Sequence, residues 1–318
     1  MSIPASAKYA IIREMTLRDD NLLNIVWLCE AAGVSRSGYY HYLETEDARR
    51  QRDERDKADF LKIVEAYRFR GYDKGARGIY MRLLHLKPPV HMNIKKIRRL
   101  MKKYSLFCSI RKANPYRRAA KAIETAQVAP NLLNREFESH GPRKVLLTDI
   151  TYIINGKAPR CYMCTFIDAC TKELLAWTLS VSLEVDFVLE AANSLLENYG
   201  VSLTAETLVH SDQGSHFKSV KFVRLLKDSA LRQSMSRKAN CWDNAPQESF
   251  FGHMKDEVDI SDCMTFNEIH RAISDWADYY NSERYQWDLA KLSPNEYYKY
   301  LVSGIYPIAI PKAKGAVL

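Results

Sequence analysis

Apolar positions recur along the chain with two different periods, and the change of period falls near residue 143. In NLLNIVWLCEAA, Leu22, Ile25, Val26 and Cys29 stand at i, i+3, i+4 and i+7, the stripe of an amphipathic helix. Gly33 offers a left-handed stop, and Ser35 or Ser37 a cap for the next helix. A helix, a Gly-containing turn and Ser-Arg-Ser at a helix start is the spacing of a helix-turn-helix, and equally of an ordinary helical hairpin. Phe60, Ile63, Val64 and Tyr67 predict a helix over 53–69, and Ile79, Leu83 and Leu86 another over 76–86. Pro88 and Pro89 then break the chain, and Asn93 caps a third helix over 94–104. In that helix Ile94, Ile97 and Met101 face inward, while Lys95, Lys96, Arg98, Arg99, Lys102 and Lys103 cover the rest. The stretch RKANPYRRAA is basic and unpatterned, and 121–142, with Pro130, Gly141 and Pro142, reads as a linker.

Beyond it the texture is β-rich. VLLTDITYI, RCYMCTFIDA and LLAWTLSVS are apolar runs between short polar turns. EVDFVLEAANSLLENYG then predicts a helix stopped by Gly200, TLVHS a buried strand, SVKFVRLLKDS a helix and LRQSMS a short strand. A further helix carries NAPQESFFGHMKDE, and 265–282 form a long amphipathic one with Trp276, Tyr279 and Tyr280. Strands and helices in that order make an α/β unit with a mixed sheet. The expected organisation is a helix-turn-helix-like region over 1–52, a basic helical domain over 53–126, a linker over 127–142, an α/β domain with C-terminal helices over 143–302 and a tail over 303–318.

Composition narrows the classes. Of 318 residues, 47% are apolar and 27% charged, which excludes a disordered chain or a coiled-coil rod. No run of 18 apolar residues suggests a membrane span, and Arg13 and Glu14 interrupt any secretory core. Seven cysteines, an odd number, argue for reduced thiols in a cytosol. Charge is the sharper guide: residues 1–140 carry a net +12, and 141–318 a net −3. Within 67–120 there are 16 basic residues and one acid, Asp73. A polyanion grip joined to a part that uses carboxylates points to nucleic acid.

Three carboxylates occupy unusual places. Asp149 lies mid-strand, where burial of a lone carboxylate is expensive. Asp212 follows the strand TLVHS, where functional groups of open α/β sheets collect. Glu248 sits early in its helix, which the helix dipole alone would favour. Singly, each has a structural reading as a turn or a cap. Together they can supply hard oxygen ligands for magnesium or manganese. Two such ions about 4 Å apart serve phosphodiester chemistry.

Asp212 and Glu248 have 35 residues between them, and Lys255 follows the glutamate by seven. That spacing resembles the DD(35)E core of bacterial insertion-sequence transposases and retroviral integrases. The segments LLTDITYI, HSDQGSHF, QSMSRKANCWDNAPQESFFGHMKDE and LSPNEYY, with GVSRSGYY and NLLNREF before them, resemble insertion sequence family three over residues 20–300. The resemblance implies a ribonuclease-H-like catalytic core preceded by helix-turn-helix-type DNA-binding domains. It also implies metal-dependent cleavage and strand transfer at the ends of an insertion sequence, carried by Asp149, Asp212 and Glu248 with Mg²⁺ or Mn²⁺, two ions per site. Double-stranded DNA, both terminal inverted repeats and target, is the implied partner, held by a homo-oligomer of at least two copies in the bacterial cytosol. An inert DNA-binding regulator derived from a transposase is the alternative. One departure is KGARGIYMRL, where many relatives have Gly-Tyr-Arg-Arg-Ile. No leucine heptad is present, so the chain resembles a downstream reading frame alone.

Several residues compete for roles. Asp168, at the end of YMCTFIDA, is the rival acid. Cys161, Cys164 and Cys170 suggest zinc weakly, since no second CxxC and no His pair follow. His210 and His216 flank Asp212 and suit loop orientation. Asn240, Trp242 and Asn244 suit a DNA end, with Trp242 stacking on an unpaired base, or equally a packed Trp between turn residues. Lys255 stands within about 20° of Glu248 around the helix and so points from the same face.

Overall fold

The computed structural model describes residues 3–72, 74–108, 140–154, 157–236 and 245–308. These form two compact units, Met1–Val64 and Glu65–Leu318. In the first, helices α1 (Ala5–Thr16), α2 (Ile25–Ala32) and α3 (Arg36–Glu44) enclose Ile12, Leu28, Cys29 and Tyr39. Gly33 takes a φ of 62° at the end of α2, a conformation that only a residue without Cβ adopts freely. Ser35 Oγ accepts from Gly38 N at 3.2 Å and starts α3, so a three-residue turn separates the helices. The inward stripe differs from the one expected. Asn24 caps α2, Leu22 precedes the helix and is 97% exposed, and Val26 points outward. Ile25, Leu28, Cys29 and Ala32 take the inner positions instead.

Helix α4 (Glu46–Arg68) starts earlier than its apolar stripe, because Glu46 and Asp47 suit a first turn. Helices α5 (Ala76–Leu84) and α6 (Ile94–Lys103) follow. Asn93 caps α6 as expected, its side chain accepting from Lys95 N at 2.8 Å. Leu100 is fully buried beside Ile97 and Met101, so the inner stripe of α6 is broader than expected.

Strands β1 (Val145–Ile153), β2 (Cys161–Asp168), β3 (Leu174–Ser180), β4 (Leu208–Ser211) and β5 (Arg232–Met235) form one sheet in the order β3-β2-β1-β4-β5. β1 pairs with β2, and β2 with β3, antiparallel; β1 pairs with β4, and β4 with β5, parallel. The parallel pairs are joined through α7 (Val185–Tyr199) and α8 (Val220–Asp228), which cover one face over Leu146, Phe166 and Val209. Helices α9 (Ala245–Glu257) and α10 (Phe266–Ser282) cover the other over Ile153, Met163 and Ile167. Alternation along β1 therefore sends even positions toward α7 and odd positions toward α9. A last helix, α11 (Pro294–Ser303), closes the unit. From β1 to α10 the expected element order is the one found, and the sheet is that of the ribonuclease-H-like class, whereas α1 was not expected from the sequence. None of the helices among the described residues is long and apolar enough to cross a membrane.

The basic helices belong to this second unit. Arg70 pairs with Glu283 at 2.7 Å, and Arg82 lies 3.4 Å over the Phe69 ring. Arg77 lies 5.2 Å over Trp287, and His85 stacks on Tyr285 with centroids 3.5 Å apart. His85 Nδ1 faces Met81 O at 2.8 Å and Nε2 faces a Glu296 carboxylate oxygen at 3.2 Å.

Candidate active site

The site is built on the middle of β1 and the C-terminal end of its parallel neighbour β4. Their register pairs Leu147 with His210. The pairing ends there, two residues before Asp149 on β1 and two before Asp212, which follows β4. Asp149 shares its parity with Ile153 and so turns toward α9. Asp212 stands where the chain leaves β4, the end of a parallel strand at which open α/β sheets collect function.

Asp149 is half-buried and its Oδ1 accepts from Ile150 N at 2.7 Å. Asp212 is exposed, and its Oδ1 accepts from Gly214 N at 2.8 Å. A Cβ on Gly214 would come within 2.8 Å of that same oxygen, so a larger residue there would displace the Asp212 carboxylate. His216 Nε2 donates to Leu183 O at 2.8 Å and ties the loop down, the orienting role expected of it. His210 is buried, shares a hydrogen bond of 3.0 Å with Ser234 Oγ, and burial pushes its pKa down to about 4.

Glu248 lies exposed in the first turn of α9. Its neighbour Gln247 is fully buried and anchors that turn. Gln247 Nε2 donates to Leu147 O at 2.7 Å, and its Oε1 accepts from Thr165 Oγ1 at 3.1 Å. Thr165 is the β2 residue directly opposite Asp149. One amide thus bolts the helix that carries Glu248 to the strand pair that carries Asp149. The sequence analysis missed this residue. A signal was available: Gln247, Phe250, Phe251 and Met254 stand at i, i+3, i+4 and i+7, so a polar side chain occupies the buried stripe of α9.

Lys255 also faces β1. Its Nζ donates to Thr151 Oγ1 at 2.7 Å, and burial of that end holds its pKa below the usual lysine range. The structure thus brings Asp149, Asp212, Glu248 and Lys255 to one side of the sheet. It does not draw the acids into a closed cluster: among the described residues no three His, Cys, Asp or Glu side chains stand close enough to hold an ion. Asn240, Trp242 and Asn244 lie outside the described residues. On α6, Lys95, Arg98 and Lys102 form an exposed line at i, i+3 and i+7. Arg99 and Lys103 are exposed beside it, Lys103 5.3 Å from the Tyr104 ring, and Lys96 is half-buried.

The rivals separate cleanly. Asp168 is fully buried at the far end of the sheet, opposite Leu146, with Arg143 Nη1 at 3.0 Å. Cys161 and Cys164 are three apart on one strand, so they point to opposite faces and cannot share an ion. Cys161 joins the α9 side of the core and Cys164 the α7 side, where burial pushes its thiol up to about 12.

The integrase core domain family matches residues 139–241 and again 229–294. A transposase named InsK of insertion sequence element IS150 from Escherichia coli strain K12 is 33% identical over 277 residues, 85% of this chain and 92% of the relative. The chain belongs to the insertion-sequence transposases. A 31 kDa protein of insertion element IS600 from Shigella sonnei is 31% identical to this transposase, covering 84% of it and 96% of the relative. The transposase of element IS904 from Lactococcus lactis strain IL1403 is 31% identical over 65% of this chain. Among solved structures, the catalytic core of HTLV-2 integrase in complex with magnesium aligns with 50% of the chain and 97% of its own length at 13% identity and a TM-score of 0.38. The simian T-cell lymphotropic virus intasome aligns with 71% of the chain and 73% of its own length at 16% identity and a TM-score of 0.44.

Proposed function

We propose that the chain cleaves phosphodiesters at the ends of an insertion sequence and joins them to target DNA, using Asp149, Asp212 and Glu248 as the acid triad. One observation carries the assignment. Asp149 lies on β1 and Asp212 just past its parallel neighbour β4, and a buried glutamine fastens the glutamate's helix against β1. The donor set fits a divalent metal: all three acids offer hard oxygens. Asp149 and Asp212 would hold such ions with Glu248, in magnesium or manganese, two per site. When bound, the ions supply Lewis acidity to the attacking and leaving oxygens of the phosphodiester.

The protein's part is placement. Gly214 lets the Asp212 loop fold back on itself, Gln247 fixes the start of α9, and Lys255 presents a cation two turns beyond Glu248 for a phosphate next to the scissile one. The exposed line Lys95, Arg98 and Lys102, with Lys96, Arg99 and Lys103 around it, suits the backbone of the terminal repeat. Asn240, Trp242 and Asn244 belong beside the DNA end in this reading. Two ends must be held together, so a homo-oligomer on DNA in the bacterial cytosol is the working form.

Incubating the full chain with duplexes from the sequences that flank its reading frame tests this. Joined products should form in Mg²⁺ or Mn²⁺, with Ca²⁺ supporting binding alone. Changing Lys95, Arg98 and Lys102 to Ala should reduce the slope of log affinity against log salt by about 2.7, at about 0.9 per phosphate contact. Absence of any metal-dependent nicking by the wild-type chain would overturn the assignment.

A further inference from the structure

Beside the acid site lies a cavity of about 390 Å³, within the about 300–1,000 Å³ typical of small-ligand sites. Ile153, Met254 and Ile273 make its floor and are nearly fully buried. Ile154 and Val258 stand at the rim, Ile154 64% exposed. Lys255 is the charged residue that lines it, and its Nζ is held by Thr151 Oγ1.

The position of that lysine says what the cavity is for. Thr151 lies two residues beyond Asp149 on the same face of β1, about 6.6 Å along the strand. That is about the step from one phosphate to the next along a nucleic-acid strand. A scissile phosphate at Asp149 therefore puts its neighbour at the Lys255 ammonium, and the attached base over the apolar hollow. Apolar walls suit the faces of a base drawn out of its stack, as enzymes that extrude nucleotides use them. A cation at the mouth favours a polyanion over an apolar peptide or a lipid chain.

We propose that this cavity receives one unstacked nucleobase of the DNA end, next to the scissile phosphate, with Lys255 on the intervening phosphate. The inference rests on the acid-site assignment above. Its test is separate. The full chain is bound in Ca²⁺ to duplexes carrying 2-aminopurine, in turn, at each of the terminal nucleotides. One position should brighten severalfold on binding, and Val258→Trp or Ile154→Asp should abolish that rise while lowering affinity about tenfold. An abasic nucleotide at the same position should weaken the wild type about tenfold and the Val258→Trp variant hardly at all. Thermal melting shows whether the variants fold, and the abasic arm stands without them. If the duplexes bind and are cut but every position stays dark, or the abasic nucleotide costs nothing, the base pocket is wrong and the acid site survives. If the wild type neither cuts nor joins in Mg²⁺, the acid-site assignment falls with it.

Discussion

Two carboxylates on neighbouring central strands, Asp149 and Asp168, sit about 10 Å apart along the sheet and are treated in opposite ways. Asp168 is sealed. Arg143 N and Nη1 donate to its Oδ2 at 2.8 and 3.0 Å, and Cys170 N donates to its Oδ1 at 2.9 Å. Arg143 also reaches Glu173 at 2.7 Å, under the rings of Tyr199 and Tyr298. Burial still pushes the Glu173 carboxyl up. At the other end, Asp149 and Asp212 each accept a short-range backbone N–H. Both ends look equally acidic in the sequence. What separates them is burial: Asp168 is fully buried, Asp149 half-buried and Asp212 exposed.

The comparison breaks most sharply on charge removal. Asp149→Asn, Asp212→Asn or Glu248→Gln should each slow cleavage by at least about a thousandfold, about 4 kcal/mol of barrier, with melting temperature nearly unchanged. A variant that joins ends normally in Mg²⁺ strikes that residue from the triad. Asp168→Ala should do the reverse, destabilising the fold by about 3–5 kcal/mol because it removes one of the two carboxylates that hold the buried Arg143. Denaturant midpoints measure that, and activity per folded molecule should hold.

Between the two ends lies His210, and it gives a pH test. Its folded pKa of about 4 is below the ordinary value of 6.5, so the neutral ring is the one the fold accepts. The stability it lends is complete above pH 6.5 and drains as pH falls toward 4, by up to about 3 kcal/mol. His210→Gln should flatten that part of the stability profile, and an unchanged slope refutes the assignment. The smallest expected effect is at Gln247. Gln247→Leu leaves the Thr165 hydroxyl and Leu147 carbonyl unpaired, at about 1–3 kcal/mol. It should slow joining about tenfold more than the stability loss explains, with DNA affinity kept; equal loss of both marks a purely structural amide.

Much of this was legible in the residues. The order of strands and helices follows from apolar period, and the odd position of Asp149 in an apolar run announces itself without coordinates. Asp168 was harder, because its partner Arg143 is 25 residues earlier at the strand entrance, and contact across a sheet leaves no local pattern. The opposite facing of Cys161 and Cys164 was available from strand parity alone. The basic stretch misled in part: Arg70, Arg77 and Arg82 read as cations for DNA, yet each engages an aromatic ring or an acid of the same unit. Pairings that span about 200 residues cannot be read from composition.

The stacking of His85 on Tyr285, with Arg77 on Trp287, bears on how such a gene can be recombined. These contacts tie α5 to the stretch just before α11, so the two segments should be kept from one parent. A chimera that borrows the sheet from a relative but keeps the local α5 would set an imidazole against a foreign surface, with Glu296 facing no ring. Crossovers placed near residue 64 keep every one of those pairs in the same parent.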